Sequence, residues 1–311
     1  MKKTILTLLL CLTLTACGTK TEAPLPENTH TFTDDLGREI TLAPPERTAA
    51  LLGSFAQVWL LSGGTVSATV DDAWDDLALP LSEETVNLGN TKSPSLELLL
   101  ASEPDFILAS TNTRRNLEWQ ETLDAAGIPT AYFDIDDFDD YLRLLNICTD
   151  LTGRKDLYEA HGTRVQAQID AVIEKSQTRL AKQEAPTVLC MVASASAIHA
   201  KNSEGNVLGA MLKTLGCENI ADSETMLLEK LSIEHILLSD PDHIFFVQRG
   251  DDEAGMRAHV EEFLTSQPAW ANLSAVKNGR VHFMEKELFN LKPNHRWGEA
   301  YEILEETLSN G

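Results

Sequence analysis

SLELLLASEPDFILA, residues 95–109, and SIEHILLSDPDHIFF, residues 232–246, are one segment written twice. Aligned without gaps, Ser95/Ser232, Glu97/Glu234, Leu100/Leu237, Ser102/Ser239, Pro104/Pro241, Asp105/Asp242 and Ile107/Ile244 are identical. Each copy begins at a Ser suited to cap a helix, with Glu two residues on, and carries apolar residues at helical spacing. A Pro then stops the helix, and Asp introduces a β-rich apolar run. Asn87-Leu88 precedes one copy and Asn219-Ile220 the other. A helix–strand unit is therefore used once in each half of the chain.

Working outward, strands are expected at 49–52, 106–109 and 130–133, with helices near 55–63, 95–101, 116–126 and 138–150. The second half repeats the alternation, with strands at 187–193, 244–247 and 280–283 and helices near 206–215, 232–238, 255–265 and 297–308. Strand–helix alternation with short connections predicts parallel sheets and an α/β fold. Between the halves, Leu157, Val165, Ile169, Val172 and Ile173 form a stripe at helical spacing, loosened locally by Gly162. The expected organisation is an N-terminal lobe over 32–153, a single long connecting helix over 154–183 and a C-terminal lobe over 184–311. One stiff connector predicts small movement of the lobes when a ligand enters the cleft between them.

The N-terminus supplies an address. Met1-Lys2-Lys3, an apolar run over 5–14 and Thr15-Ala16 before Cys17 have the form of a secretory signal over residues 1–16. The run is too short to span a bilayer. Leu14-Thr15-Ala16-Cys17 resembles the bacterial lipobox, which implies lipidation of Cys17 and an anchor on the extracytoplasmic face of the bacterial cell membrane. The following residues, 17–31, are polar with two prolines and read as a flexible tether.

The formal charge is −23, and loss of Lys2 and Lys3 with the signal leaves about −25. Such a surface repels nucleic acid, so no polynucleotide partner is expected. Cys148 and Cys190 lie in apolar helical and strand patterns and read as core residues, and a Cys190–Cys217 disulfide stays open. No Gly-x-Ser-x-Gly elbow, His-Glu-x-x-His pair or phosphate-cradling glycine loop is present, so no catalytic residue is assigned.

These features together resemble the ABC-importer binding proteins for ferric siderophores, haem and cobalamin, the class III periplasmic binding proteins. The residues 34–42 with Pro44-Pro45-Glu46-Arg47 are similar to the family's opening hairpin. Leu96-Glu97 through Pro104-Asp105 match its helix–strand signature, and 270–281 match its C-terminal signature. The resemblance implies two Rossmann-like lobes joined by one backbone helix, and a monomer that works with a membrane permease and its ATPase. It implies that Glu97 and Glu234, one on each lobe, dock onto arginines of that permease. Beside that role stands the plain one, a first-turn glutamate stabilising a helix N-terminus. Where many relatives carry an acid after the first strand, this chain has Ser54-Phe55-Ala56-Gln57.

Ligands of two-lobed α/β proteins sit where loops leave the C-terminal ends of strands. That rule nominates Phe55, Trp74, Lys92, Arg114, His199, Lys201, Arg249, Phe289, Asn294, His295 and Arg296 as ligand-binding residues. A ferric catecholate would use Lys92, Arg114, Lys201, Arg249 and Arg296. A haem would use His199 or His295 as axial ligand, with Phe55, Trp74 and Phe289 as walls. A cobalamin would use aromatic walls and few charges. No cofactor of the protein's own is expected, although the ligand would itself contain iron or cobalt. Direct capture of a bare metal ion is the alternative importer reading, but the histidines show no paired spacing. The acidic run 134–140 reads as the N-terminal turn of the 138–150 helix instead. A lipid-anchored hydrolase and an adhesin remain as readings from other classes.

Overall fold

The computed structural model describes residues 28–223 and 226–310; the signal, Cys17 and the tether up to residue 27 lie outside the described residues. The chain opens with a hairpin of β1 (His30–Thr33) and β2 (Glu39–Leu42), antiparallel from His30↔Leu42 to Thr33↔Glu39. Its turn is organised by Asp34, whose side chain is fully buried. That carboxylate accepts from the backbone N–H groups of Leu36, Arg38 and Tyr132 and from the Arg38 guanidinium at 2.8 and 3.0 Å. The hairpin is thereby fastened to the edge of the first lobe.

That lobe is a five-stranded parallel sheet in the order β5-β4-β3-β6-β7. Its strands are β3 (Thr48–Ala50), β4 (Val66–Thr69), β5 (Val86–Asn87), β6 (Phe106–Ser110) and β7 (Thr130–Phe133). The second lobe contains β8 (Thr187–Ala193), β9 (Ile198–Lys201), β10 (Glu218–Asn219), β11 (His243–Gln248) and β12 (Val281–Met284), with the path β10-β8-β11-β12. All of its pairings are parallel except β9, which folds back on β8. The expectation of purely parallel sheets is corrected there: the Ser194 hydroxyl accepts from the Ala197 N–H, closing a tight turn where an open cleft loop was expected. Two further strands, β4 and β5, were not legible, being short and made of small or polar residues. The helix expected at 116–126 is two, Arg114–Glu118 and Gln120–Ala125, broken at the buried Trp119.

The repeat is structural, but not in its caps: the Ser95 hydroxyl accepts from the Leu98 N–H at 3.2 Å, whereas the Ser232 side chain makes no capping bond. Helix Leu96–Ala101 leads into β6 and helix Ile233–Ser239 into β11. Between them Glu103 (φ 48°) and Asp240 (φ 38°), equivalent positions before the two prolines, both adopt the left-handed conformation. The next residue does the same work twice. Asp105 accepts from the backbone N–H of Glu46 and Arg47 at 2.8 and 2.9 Å, just before β3. Asp242 accepts from the N–H and hydroxyl of Thr187, both at 2.9 Å, at the start of β8.

The connector runs through residues 155–180 with a π-helical stretch, Glu159–Thr163, at the Gly162 step. A Cβ at Gly162 would come within 3.0 Å of the Leu142 side chain, so the glycine permits close packing on helix Phe138–Thr152. The His161 carbonyl there accepts from the Tyr141 hydroxyl at 3.0 Å. Helix Trp297–Ser309 lies along the connector and is clamped by a bidentate Arg179–Glu305 pair, each side chain 7% exposed. One apolar cluster runs from Phe55 and Trp59 through Val165, Ile169 and Val172 to Leu304 and Leu308. The lobes thus share a core, and the chain couples them twice, through the connector and through this last helix. Cys148, Cys190 and Cys217 are buried and unbridged, and burial pushes the Cys217 thiol up to about 12.

Asp34→Ala would strip these partners and leave the half-buried Arg38 without its buried counterion. We expect a loss of about 3 kcal/mol in urea unfolding with an unchanged slope; an unaltered midpoint would mean that the hairpin lies outside the cooperative unit.

Candidate ligand-binding site

The order of the first sheet reverses at β3, with β4 and β5 added on one side and β6 and β7 on the other, which opens a crevice at its C-terminal edge. Residues that follow strands of both lobes meet there around a cavity of about 230 Å³. Asn112 (after β6) and Asp136 (after β7) come from the first lobe. From the second come Cys190, Met191 and Val192 of β8, Val247 of β11, and Lys201 and Arg249. Gly205 to Leu208, the start of helix Val207–Thr214, also line it, as do Phe289, Asn290 and Lys292. Asn206 caps that helix, its side chain accepting from the Gly209 N–H at 2.9 Å. An adjoining cavity of about 290 Å³ shares Arg249 and Asn290 and reaches Asp71, Asp72, Asp75, Asp76, Lys92 and Lys286.

The two walls carry opposite charge, and segment 286–292 ties them. Lys286 contacts Asp76 across the cleft at 2.6 Å and Asp251 on its own side at 2.7 Å. Burial alone would lower the Lys286 pKa, but the hydrogen bonds to Asp251 and Asp76 outweigh it and hold the ammonium charged. Lys292 reaches Asp136 at 3.5 Å and Asp134 at 3.9 Å, and the Asn290 amide donates to the Gln248 carbonyl at 3.0 Å. By contrast, Lys201 and Arg249 are exposed and make no ion pair among the described residues.

Of the nominated residues, Lys201, Arg249 and Phe289 come together around the inner cavity and Lys92 around the outer one. Arg114 stands outside, 92% exposed and paired with Glu118, beside Lys92 and Arg115. The remainder lie outside these two cavity linings. Phe55 is 1% exposed inside the shared core and offers no wall, and Trp74 packs against that core. His199 is exposed on β9, away from both cavity linings. Asn294 is fully buried, with its amide donating to the Ser54 carbonyl at 3.0 Å and the Gln57 side chain at 2.7 Å, so it ties the lobes together. His295 turns to the connector, edge-on to His161 at 6.0 Å, where burial lowers its pKa. Arg296 is taken by Glu299 at 2.7 Å. Not singled out were Asn112 and Lys292, although the strand-end rule places both of their loops at the cleft, and Asn206, Lys286 and Asp136. Asp136 sat inside an acidic run read as a helix start; Asp137 does cap that helix by accepting from the Asp140 N–H, and Asp139 and Asp140 lie in its first turn, while Asp136 stands before the cap.

Glu97 and Glu234 are both exposed, in the first turns of the two repeated helices. Each has an exposed leucine on its own helix: Leu98 (44%) and Leu238 (86%). No helix among the described residues is long and apolar enough to cross a membrane.

Comparison with known proteins agrees with this geometry. Residues 49–288 match the family described as periplasmic binding protein. The chain is 26% identical over 297 residues to the Fe(3+)-citrate-binding protein YfmC of Bacillus subtilis, covering 90% of this chain and 87% of that one. Among solved structures, Staphylococcus aureus SirA complexed with staphyloferrin B superposes with a TM-score of 0.70 at 22% identity, covering 90% of this chain and 99% of that one. The periplasmic heme-binding protein RhuT from Roseiflexus sp. RS-1 gives 0.68 at 18%, covering 85% and 98%. These two likenesses establish the two-lobed fold and nothing narrower.

Asp72 provides a pH-dependent handle on the cleft. Burial, with Asp76 and Asp71 nearby, pushes its carboxyl up to about 6, against the pull of the Gly53 N–H that it accepts at 2.9 Å. Gly53 makes this approach possible, because a Cβ there would lie 2.6 Å from the Asp72 oxygen. A raised folded-state pKa means that ionisation opposes folding above about pH 6, and that stability is regained as pH falls toward 4. Asp72→Asn keeps an acceptor for Gly53 and removes the charge. We expect it to stabilise by about 1–2 kcal/mol at pH 8, with no gain at pH 4; equal urea midpoints at pH 8 would show that Asp72 is solvated.

Proposed function

The chain belongs to the periplasmic binding protein family, and we propose that it captures an anionic ferric chelate in the interlobe cleft and delivers it to an ABC permease. The observation that carries this reading is a pair of cations without an ion-pair partner among the described residues, Lys201 and Arg249, converging on one cavity beside Lys292. Carboxylate or catecholate oxygens are the natural partners of such a set. The helix that starts at Val207 adds its positive end to the same wall. The Fe(3+)-citrate-binding relative supports a carboxylate chelate among the ligands considered. A haem reading has less support: no His or Tyr lines the inner cavity among the described residues, and of the possible axial ligands only the buried Met191 does.

Titration of the mature protein with ferric citrate, followed by tryptophan fluorescence, should saturate near 1:1. Lys201→Ala with Arg249→Ala should weaken it by at least about thirtyfold. Saturable haemin binding alongside indifference to ferric citrate would overturn the ligand assignment.

The docking and anchoring proposals concern the rest of the chain. Glu97 and Glu234, exposed at equivalent places, suit a two-fold contact with arginines of the permease, where such pairs orient more than they bind. Lipidation at Cys17 keeps the loaded protein beside that permease. In cells, Glu97→Ala with Glu234→Ala should abolish iron uptake while leaving chelate affinity intact, and Cys17→Ala should release the protein into the surroundings. Undiminished uptake by the glutamate variant would remove the docking role, and membrane retention of the Cys17 variant the anchor.

A further inference from the structure

Three cations reach the inner cavity, yet only two are free. Lys201 and Arg249 make no ion pair among the described residues, whereas Lys292 is held toward the first lobe by Asp136 and Asp134. The Lys292–Asp136 separation of 3.5 Å is loose for an ion pair, and both side chains are partly shielded, 18% and 29% exposed. Asp136 lines the same cavity as the cations, so its charge faces whatever they hold. We infer that Asp136 is a specificity-determining residue: a fixed negative charge that restrains Lys292 and limits how anionic a chelate the cleft accepts. This inference rests on the ferric-chelate reading above.

The surroundings of Asp136 set the direction of the effect. Burial raises its pKa, the Lys292 ammonium opposes that, and Asp134 beside it and Asp140 on the following helix raise it further, for a net increase. Asp140 also accepts from the Asp136 backbone N–H at 3.1 Å, which fixes the loop. An anionic chelate arriving beside this carboxylate favours its protonated form still more. The pKa is therefore higher in the complex than in the free protein, so binding takes up a proton and tightens as pH falls. Neutralising Asp136 would release Lys292 to the ligand and remove the repulsion in one step. A purely structural role, in which the pair only holds the lobes together, predicts the opposite: loss of affinity at every pH.

The test compares ferric citrate affinity of the mature wild-type protein with Asp136→Asn, Asp136→Ser and Lys292→Gln at pH 7.5 and 5.5, thermal melting confirming that each is folded. Asp136→Asn is expected to bind about tenfold more tightly at pH 7.5, which is about 1.4 kcal/mol. The wild-type protein should gain more than this variant on going to pH 5.5. Lys292→Gln should bind about tenfold more weakly, and adding Asp136→Asn to it should recover only part of that loss, because the repulsion is removed while the cation is still missing. Asp136→Ser, without an amide to mimic the carboxylate, should follow Asp136→Asn. Equal or weaker binding by both Asp136 variants, or pH profiles parallel to wild type, would overturn the inference while leaving the ferric-chelate reading in place. Failure of the folded wild-type protein and of every variant to bind ferric citrate would instead overturn that reading, and this inference with it.

Discussion

Each lobe hangs on a carboxylate that fastens its first strand. Asp105 holds the backbone entering β3 and Asp242 holds the start of β8, and in each case the neighbouring central strand, β6 or β11, begins at the next residue. A carboxylate accepting two donors is a strong, directional tie. It sets the register of the central strand pair, and in a parallel sheet that register decides where every following loop emerges. The left-handed residues Glu103 and Asp240 turn the chain from helix to strand in the same way in both lobes. The repeat therefore recurs in sequence because it recurs as a joint.

From these joints the cleft follows. The two sheets face one another by the C-terminal edges of their parallel strands, and the charged residues lining the cavities are mostly acidic from the first lobe and mostly basic from the second. Lys286 and Lys292, six residues apart, bridge the two walls at separate points. Between them lie Phe289 and Asn290, which line the inner cavity. Strong overall negative charge thus coexists with a locally positive cavity, because net charge says little about the field inside a concave site. The shared core and the buried Asn294 amide, bonded to Ser54 and Gln57, limit how far the lobes can separate. Ligand entry then has to act on the bridging side chains more than on the lobes themselves.

The amino-acid sequence by itself determined the two-lobed α/β organisation, the helical connector and the paired glutamates. Those rest on periodicity and on a repeat, which are local patterns, and buried strands rich in large apolar residues such as β7 and β8 appeared with their observed bounds. Short strands of small or polar residues such as β4 and β5 gave too little periodicity to read, since their burial comes from neighbours distant in sequence. At the site, the cleft loops were legible from topology, but the side chains within them were not. Asn294, His295 and Arg296 stand in a segment rich in binding groups, yet the tertiary structure uses them for Ser54 and Gln57, for His161 and for Glu299. Lys292 and Asp136, some 156 positions apart, became partners only because the lobes face each other. Which polar side chain is spent on the fold and which is left for a ligand depends on who its neighbours are, and only the tertiary structure decided that.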